Sequence, residues 1–402
     1  MSALLAVEDA LALLLKDAAP VAAEDVPIGE AGGRVLAANI HALRTQPPFD
    51  ASAMDGYAVR AEDIAQVPAS LRVIGESAAG QRFSGSVGPK EAVRIFTGAP
   101  VPAGADVILL QEDARTMGDG AIEALEPTVK GRHIRLAGLD FSSGDLILPA
   151  GRVLDAAALS LAASANHSTL PVVRKPLVAI LATGSELVEP GTQPGEDQIV
   201  ASNNVGVAAL VRDAGGRDLD LGIVPDDREA ITNAINSALD HGADIIVTLG
   251  GASVGDHDLV QEALGAQGMA LDFWKIRMRP GKPLISGRFG ATRVLGLPGN
   301  PVSSLVCSHL FLVPLVARLA GRVHQPKLQT AYLSVPMRAN DHRQDYVRAV
   351  VTHDVDRLLA TPFAVQDSSM LTTLAEANAL IIRAPESPAA EVGDACTVLM
   401  LR

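Results

Sequence analysis

The stretch Leu249-Gly250-Gly251-Ala252-Ser253-Val254-Gly255-Asp256-His257-Asp258 follows the apolar run Asp244–Leu249 and precedes the helix-like run Leu259–Leu264. A buried strand that ends in paired glycines and resumes as a helix is the turn of a βα unit, and it decides the fold class. Two adjacent glycines let the backbone turn sharply and bring its N–H groups close to a ligand. A helix N-terminus just beyond favours an anion there. Asp256 and Asp258 sit at the same turn, which suits an anion only if a cation accompanies it. Taken alone, a strand-to-helix turn with an aspartate cap is the plainer reading. The neighbouring loops change that.

Outward from this turn, the segment from Pro176 to about Leu319 alternates two periodicities. Leu177–Leu181, Asp218–Val224, Asp244–Leu249, Ala270–Ile276 and Arg293–Leu297 are strand-like. Val205–Ala214, Asp227–Leu239, Leu259–Leu264 and Val302–Leu319 are helix-like. The alternation predicts βαβ units and a central doubly wound, mostly parallel α/β domain. Ligands of such sheets bind beyond the carboxyl ends of the strands. The loops expected there are Thr183-Gly184-Ser185-Glu186, Pro225-Asp226-Asp227, the opening stretch, Trp274–Pro283, and Gly296-Leu297-Pro298-Gly299-Asn300-Pro301-Val302-Ser303. One edge thus gathers Glu186, Asp226, Asp227, Asp256 and Asp258 beside Lys275, Arg277 and Arg279. Each has a bland reading: Asp227 and Ser303 cap helices, and Lys275 with Arg277 forms a solvated face. Their coincidence at one edge favours a site.

Upstream, Ala3–Lys16 has the spacing of an amphipathic helix. Val35–Leu43 begins either a strand or an extended arm, and Pro47-Pro48 breaks regular structure before the turn dipeptide Asp55-Gly56. Tyr57–Val59, Leu71–Ile74, Ala92–Phe96, Ala105–Leu110 and His133–Leu136 read as short strands around the rigid loop Thr97–Gly104, a small β domain. The helical run Asp155–Ala165 is expected to pack with the N-terminal helix, which makes the β domain an insertion into a helical segment. Downstream, Leu328–Val335, Tyr346–His353, Leu358–Ala364, Ala379–Ile382 and Ala395–Leu401 predict a small barrel or sandwich. Arg348, Gln366, Asp367 and Ser368 are its candidate functional positions.

The bulk numbers set bounds. A chain of 402 residues exceeds one ordinary core, and with 48% hydrophobic but 3% aromatic residues, aliphatic side chains must fill its cores. A net charge of −13 argues against a nucleic-acid partner. Cys307 and Cys396 form no metal-spaced cluster and suit a reducing compartment. Glu8, Asp9 and Lys16 interrupt the N-terminal apolar run, and no uninterrupted apolar segment of bilayer length is expected. The expectation is a cytoplasmic protein with no membrane partner.

An oxyanion site needs backbone N–H groups and positive side chains; Pro298-Gly299-Asn300 at a helix start, with Lys275 and Arg279, supplies both. The carboxylates suit a hard divalent cation, most simply Mg²⁺ shared with a phosphate. The pairing fits cleavage of a phosphate anhydride or handling of a metal oxyanion. The sequence has no Walker A pattern, Gly-x-Ser-x-Gly elbow or His-Glu-x-x-His, which disfavours a P-loop enzyme, a serine hydrolase and a zinc enzyme.

Five stretches occur in one order and span most of the chain: Pro48–Arg60, Arg94–Pro102, Thr183–Leu187, Gly250–Gly255 and Gly296–Ser303. Jointly they resemble the molybdopterin molybdenumtransferase family, MoeA in bacteria and the corresponding domain of gephyrin in animals. The resemblance implies four domains: 1–44 with 142–174, helical and extended; 45–141, an inserted β domain; 175–322, the α/β molybdopterin-binding domain; and 323–402, a C-terminal β barrel. It implies an elongated homodimer with the site between protomers. The implied reaction inserts molybdate into the dithiolene of molybdopterin, coupled to Mg²⁺-dependent hydrolysis of the adenylylated form and release of AMP.

By position, the resemblance implies that Asp55, Thr97 and Asp140 line the cleft from the inserted domain and its hinge. Glu186, Asp226, Asp227 and Asp258 are the implied acidic set, with Glu186, Asp226 and Asp258 as metal ligands. Lys275 and Arg279 are the basic pair, and Ser303, Arg348 and Ser368 go with the oxyanion. Gly250, Gly251, Ser253, Pro298, Gly299 and Asn300 complete the implied substrate-binding set. The chain departs from the family at Arg279, commonly Lys; at Gly138-Leu139-Asp140, commonly Gly-Glu-Asp; and at Ala201-Ser202-Asn203, where an Asp is usual. Through Gln366-Asp367-Ser368 the match is loose, and Ser369 is an alternative. Rival readings are a molybdopterin adenylyltransferase-like enzyme, which the inserted domain and barrel argue against, and a non-catalytic scaffold, which would leave Asp55, Glu186 and Asp258 idle. Expected protein partners are a molybdopterin adenylyltransferase and molybdoenzyme maturation factors.

Overall fold

The computed structural model describes residues 4–251 and 259–402. Ala252–Asp258, with the candidates Ser253 and Asp258, lies outside the described residues. The chain divides into two units: Met1–Glu24 with Gly33–Val35 and Val172–Arg402, and Asp25–Gly32 with Leu36–Pro171. Helix α1 (Val7–Leu15) belongs to the first unit, not with the Asp155–Ala165 run as expected. Its apolar stripe, Val7, Ala10 and Leu14, is spent on a core that also holds Val178, Leu295 and Leu315.

The second unit carries a six-stranded sheet of β1 (Gly56–Val59), β2 (Ala69–Ser77), β3 (Glu91–Ile95), β4 (Val107–Leu110), β5 (Ala114–Met117) and β6 (Ala121–Ala124). Their order is β4-β1-β3-β2-β6-β5, with β2 and β3 parallel and the other neighbours antiparallel. Side chains alternate between two cores, Val59, Leu71 and Leu109 on one face and Ala58, Val93 and Ile108 on the other. The sequence reading missed β5 and β6, because β5 is an edge strand without a buried residue and so shows no apolar alternation. Helix α2 (Ala156–Ser164) starts at Asp155, whose carboxylate accepts the Ala158 N–H at 2.7 Å.

The first unit is built on β7 (Leu177–Thr183), β8 (Arg217–Val224), β9 (Ile245–Leu249), β10 (Ala270–Trp274), β11 (Ile285–Phe289) and β12 (Thr292–Leu297). The order is β8-β7-β9-β12-β11-β10; the first four are parallel, and β11 runs antiparallel to both β12 and β10. Every residue of β7 is buried, as expected of a central strand covered on both faces. Val178, Ile180, Val247 and Leu295 face one core, shared with α1, α3 (Asn203–Asp213), α6 (Pro301–Cys307) and α7 (Val313–Leu319). Ala179, Leu181, Ile246 and Val294 face the other, with α4 (Arg228–Asp240) and α5 (Leu259–Ala266). This is the doubly wound, mostly parallel sheet that the alternation predicts.

The helical run Pro301–Leu319 is 19 residues long with mean hydropathy 1.7, long and apolar enough by composition to cross a bilayer, although Ser303, Ser304, Ser308, His309 and Arg318 interrupt it. Most of it, 72%, is buried inside the protein, where Val306, Phe311 and Leu315 complete the sheet's core. Beyond it, β13 (Leu328–Leu333), β14 (Gln344–Asp354), β15 (Arg357–Pro362), β16 (Ala379–Arg383) and β17 (Ala395–Met400) pair in the order β14-β15-β13-β17-β16. A further ladder from β16 back to β14 closes a five-stranded barrel. The short strand Met278–Arg279 lies parallel to β14, Met278 opposite Gln344 and Arg279 opposite Asp345.

Candidate active site

A cleft of about 920 Å³ opens at the carboxyl edge of the doubly wound sheet, lined by Thr183, Glu186, Asp226, Gly250, Gly299 and Ser369 among others. Its floor is backbone. Gly250 has φ +98° and Gly251 φ +63°, and a Cβ on Gly250 would stand 2.7 Å from the Thr183 carbonyl oxygen. Only glycine accommodates both the left-handed turn and the close approach. The Gly250 N–H donates to the Leu297 carbonyl at 3.2 Å, which ties this turn to the Pro298-Gly299-Asn300 loop.

The acidic wall comes from loops after the adjacent strands β7 and β8. The Ser185 N–H donates to the Asp226 carboxylate at 3.3 Å, and the Asp226 N–H donates back to Ser185 Oγ at 3.2 Å. Glu186 folds over Gly184, so that a Cβ there would lie 2.7 Å from one carboxylate oxygen. Both carboxylates therefore reach one cleft through a laced loop pair. Asp227 has a different job: it is the N-cap of α4, accepting the Ala230 N–H at 2.9 Å.

The opposite wall is held by residues that bridge to the barrel segment. Asn203 Nδ2 donates to the Gly299 carbonyl at 2.8 Å, a bracing role that the sequence reading had not assigned to it. Asn300 Nδ2 donates to Ser368 Oγ at 3.0 Å, and the Ser368 carbonyl accepts the Val302 N–H at 3.0 Å. Ser368 is thus occupied in capping α6, whereas its neighbour Ser369 lines the cleft. Ser303 is buried within α6. Arg348 is buried too, its Nη1 donating to the Asp367 carbonyl at 2.7 Å and its Nε to Gln366 Oε1 at 3.1 Å. It props the 366–369 turn from behind.

The two members of the basic pair part company. Lys275 follows β10 at the carboxyl edge of the sheet, its N–H donating to the carbonyl of Leu284, whose neighbour Pro283 lines the cleft. Arg279 is committed to the barrel: Nη1 lies 3.3 Å from the Asp341 carboxylate, and Nη2 pairs with Asp345. Those two carboxylates raise its pKa, chiefly through the Asp345 hydrogen bond. A planar fork with five donors satisfies two carboxylates at once in fixed geometry, which a lysine's compact point charge reproduces only in part.

The second unit presents its own constellation. Asp55, just before β1, accepts the Thr97 N–H at 2.7 Å and the Thr97 hydroxyl at 2.8 Å. These donors hold its carboxyl below the usual range, the backbone N–H first. Gly56 is required beside it, because a Cβ would meet the Leu109 carbonyl oxygen at 2.0 Å. Arg94 donates to the Gly56 carbonyl at 3.0 Å and sits over the rings of Tyr57 and Phe96, at 5.1 and 4.9 Å. Arg94 gave no sequence signal beyond the motif that contains it. Asp140 lies in a separate hollow with Asp145, Phe141 and Leu161.

Among the described residues no three His, Cys, Asp or Glu side chains converge on one metal position. Glu186 and Asp226 share the cleft, and the third expected ligand, Asp258, lies outside the described residues. A glycine floor and a laced acidic wall at the carboxyl edge of a doubly wound sheet define an α/β protein with a ligand-sized cleft at its strand ends. Three family models match in succession: the MoeA N-terminal region (domains I and II) over residues 5–166, a probable molybdopterin-binding domain over 179–318, and the MoeA C-terminal region (domain IV) over 330–401. A molybdopterin molybdenumtransferase from Nostoc sp. is 36% identical over 372 residues, covering 89% of this chain and 84% of that protein. One from Haemophilus influenzae is 33% identical over 382 residues, 94% of each. The solved structure of the molybdopterin biosynthesis MoeA protein from Pyrococcus horikosii matches with a TM-score of 0.86 at 29% identity, covering 100% of both chains. The chain belongs to the molybdopterin molybdenumtransferase (MoeA) family.

Proposed function

We propose that the chain is a molybdopterin molybdenumtransferase of molybdenum cofactor biosynthesis, inserting molybdate into the dithiolene of adenylylated molybdopterin with Mg²⁺-dependent release of AMP. The observation that carries this reading is the 920 Å³ cleft, which joins a side-chain-free floor to two carboxylates. Its size suits a nucleotide-scale ligand. Glu186 and Asp226 are hard oxygen donors on one cleft, a set that fits Mg²⁺ better than a soft metal. With Asp258 they would hold the ion, which when bound would offset phosphate charge.

The chain's own groups divide the remaining tasks. Gly250, Gly251 and Pro298-Gly299 let a phosphate chain lie against backbone, and Ser253 belongs to the proposed substrate-binding set. Lys275 meets the oxyanion, Asn300 orients it, and Ser369 takes the contact expected of Ser368. Asp55, kept ionised by Thr97, is a hydrogen-bond acceptor across the working pH range. Asp227, Ser303, Arg279, Arg348 and Asp140 act through the positions of other groups. The four-domain division, the homodimer with an inter-protomer site, the cytoplasmic location, and exchange with an adenylyltransferase and molybdoenzyme maturation factors belong to the same proposal.

The test is incubation of the full chain with adenylylated molybdopterin, molybdate and Mg²⁺, following AMP and molybdenum cofactor together. Both should appear in step and require molybdate. AMP release indifferent to molybdate would reject the assignment.

A further inference from the structure

Trp274 and Lys275 are consecutive, and in an extended strand their side chains would point to opposite faces of the sheet. They do not. Trp274 is the last residue of β10, paired with Ile285, and Lys275 adopts φ +74°. The left-handed turn cancels the alternation and folds the lysine back over its neighbour, placing Nζ 3.7 Å from the centroid of the Trp274 ring. Such a conformation strains any residue but glycine, so the strand end bears a backbone cost at the residue that carries the charge.

Two further observations concern the partners. Lys275 forms no ion pair among the described residues, whereas Arg279, four positions on, is bound to Asp341 and Asp345. The indole Nε1 of Trp274 is buried without a hydrogen-bond acceptor among the described residues, so no polar contact within them fixes the ring. Packing and the ammonium above it do. An ammonium on an aromatic face keeps N–H donors free on its outer side, and the attraction is weak enough to yield to an oxyanion.

We propose that Trp274 is a positioning residue for Lys275: its ring holds the ammonium at the carboxyl edge of the sheet, ready for transfer to an oxyanion arriving there. This rests on the molybdenumtransferase reading for the identity of the oxyanion, but the pair itself does not depend on it. Trp274→Leu should raise KM for molybdate about fivefold, the ratio that corresponds to ~1 kcal/mol of cation–π attraction, with little change in kcat. Trp274→Phe, which keeps an aromatic face, should move KM by about twofold or less. A purely structural tryptophan would instead lower stability and kcat without selecting KM.

A second readout needs no turnover. Trp274 is the one tryptophan in the sequence, so the protein's indole emission reports the surroundings of this ring alone. Lys275→Met, which removes the charge and keeps the chain length, should change the emission of the ligand-free protein in intensity and wavelength. Identical emission from wild type and Lys275→Met, or a wild-type KM in Trp274→Leu, would overturn the proposal. If Trp274→Leu does not fold, Trp274→Phe and the emission comparison decide. If wild type releases no AMP, the functional reading falls while the emission comparison still judges the pair.

Discussion

Arg279→Ala separates two roles for a residue that the sequence places in the basic pair. In the structure its guanidinium bridges the Asp341 carboxylate, 3.3 Å away, the Asn340 side-chain oxygen, also 3.3 Å away, and Asp345. Arg279 keeps 44% of its side chain exposed, so the ion pairs are screened and contribute about 0.2–1 kcal/mol each. Asp345 is only 16% exposed, and leaving its carboxylate without a partner adds roughly 1–2 kcal/mol. The sum, already discounted for solvent, is about 2 kcal/mol, which for a unit of this size lowers Tm by about 4–8 °C. Thermal denaturation of Arg279→Ala at low and high salt measures it; the loss should shrink in high salt, and Arg279→Lys should lose less than half as much. An Arg279→Ala protein that melts with wild type but no longer turns over molybdate would refute the reasoning, because Arg279 would then serve the oxyanion and not the barrel.

Four other outcomes follow from the same geometry. Thr97→Val removes one of two donors to Asp55 and keeps the stronger backbone N–H, so the carboxyl should rise part of the way toward its ordinary value of 3.8, as read by NMR titration. Because the native value is depressed, its stabilisation is present above pH 3.8 and lost as pH falls through that lower value; the variant should lose it at a higher pH than wild type. Gly250→Ala sets a Cβ 2.7 Å from the Thr183 carbonyl at φ +98°, and chemical denaturation should show a loss of about 2–4 kcal/mol. Glu186→Gln and Asp226→Asn should each raise the Mg²⁺ concentration needed for half-maximal AMP release while melting as wild type does; an unchanged requirement would remove them from the ion. Lys275→Gly should relieve the strain at φ +74° but lose the contact with Trp274, terms of ~1 kcal/mol each that offset, so Tm should stay near wild type while molybdate turnover is abolished.

Much of the architecture was legible because it rests on local periodicity. Leu177–Thr183 and Ile245–Leu249 are fully buried central strands and read as unbroken apolar runs. Asp227 read as a helix cap and is one, whereas Ser303, read the same way, lies buried inside α6. Where burial is one-sided or slight, the signal faded, as in β5, whose four residues are all at least partly exposed. Ile285–Phe289 was missed although its first three residues are buried, because glycine and proline crowd the segment around it.

By itself, the sequence determined the alternating elements, the doubly wound class and the roster of charged and glycine-rich loops at one sheet edge. Only the tertiary structure decided which members of that roster share the cleft. Glu186 and Asp226 do, while Asp227 caps a helix and Arg279 is claimed by carboxylates more than sixty positions away. Ser369, not Ser368, lines the cleft, because Ser368 is used to cap α6. The reason is physical: periodicity is set by neighbours within one turn or one pleat. The partner of a charged side chain is set by how distant segments come into register, here Arg279 opposite Asp345.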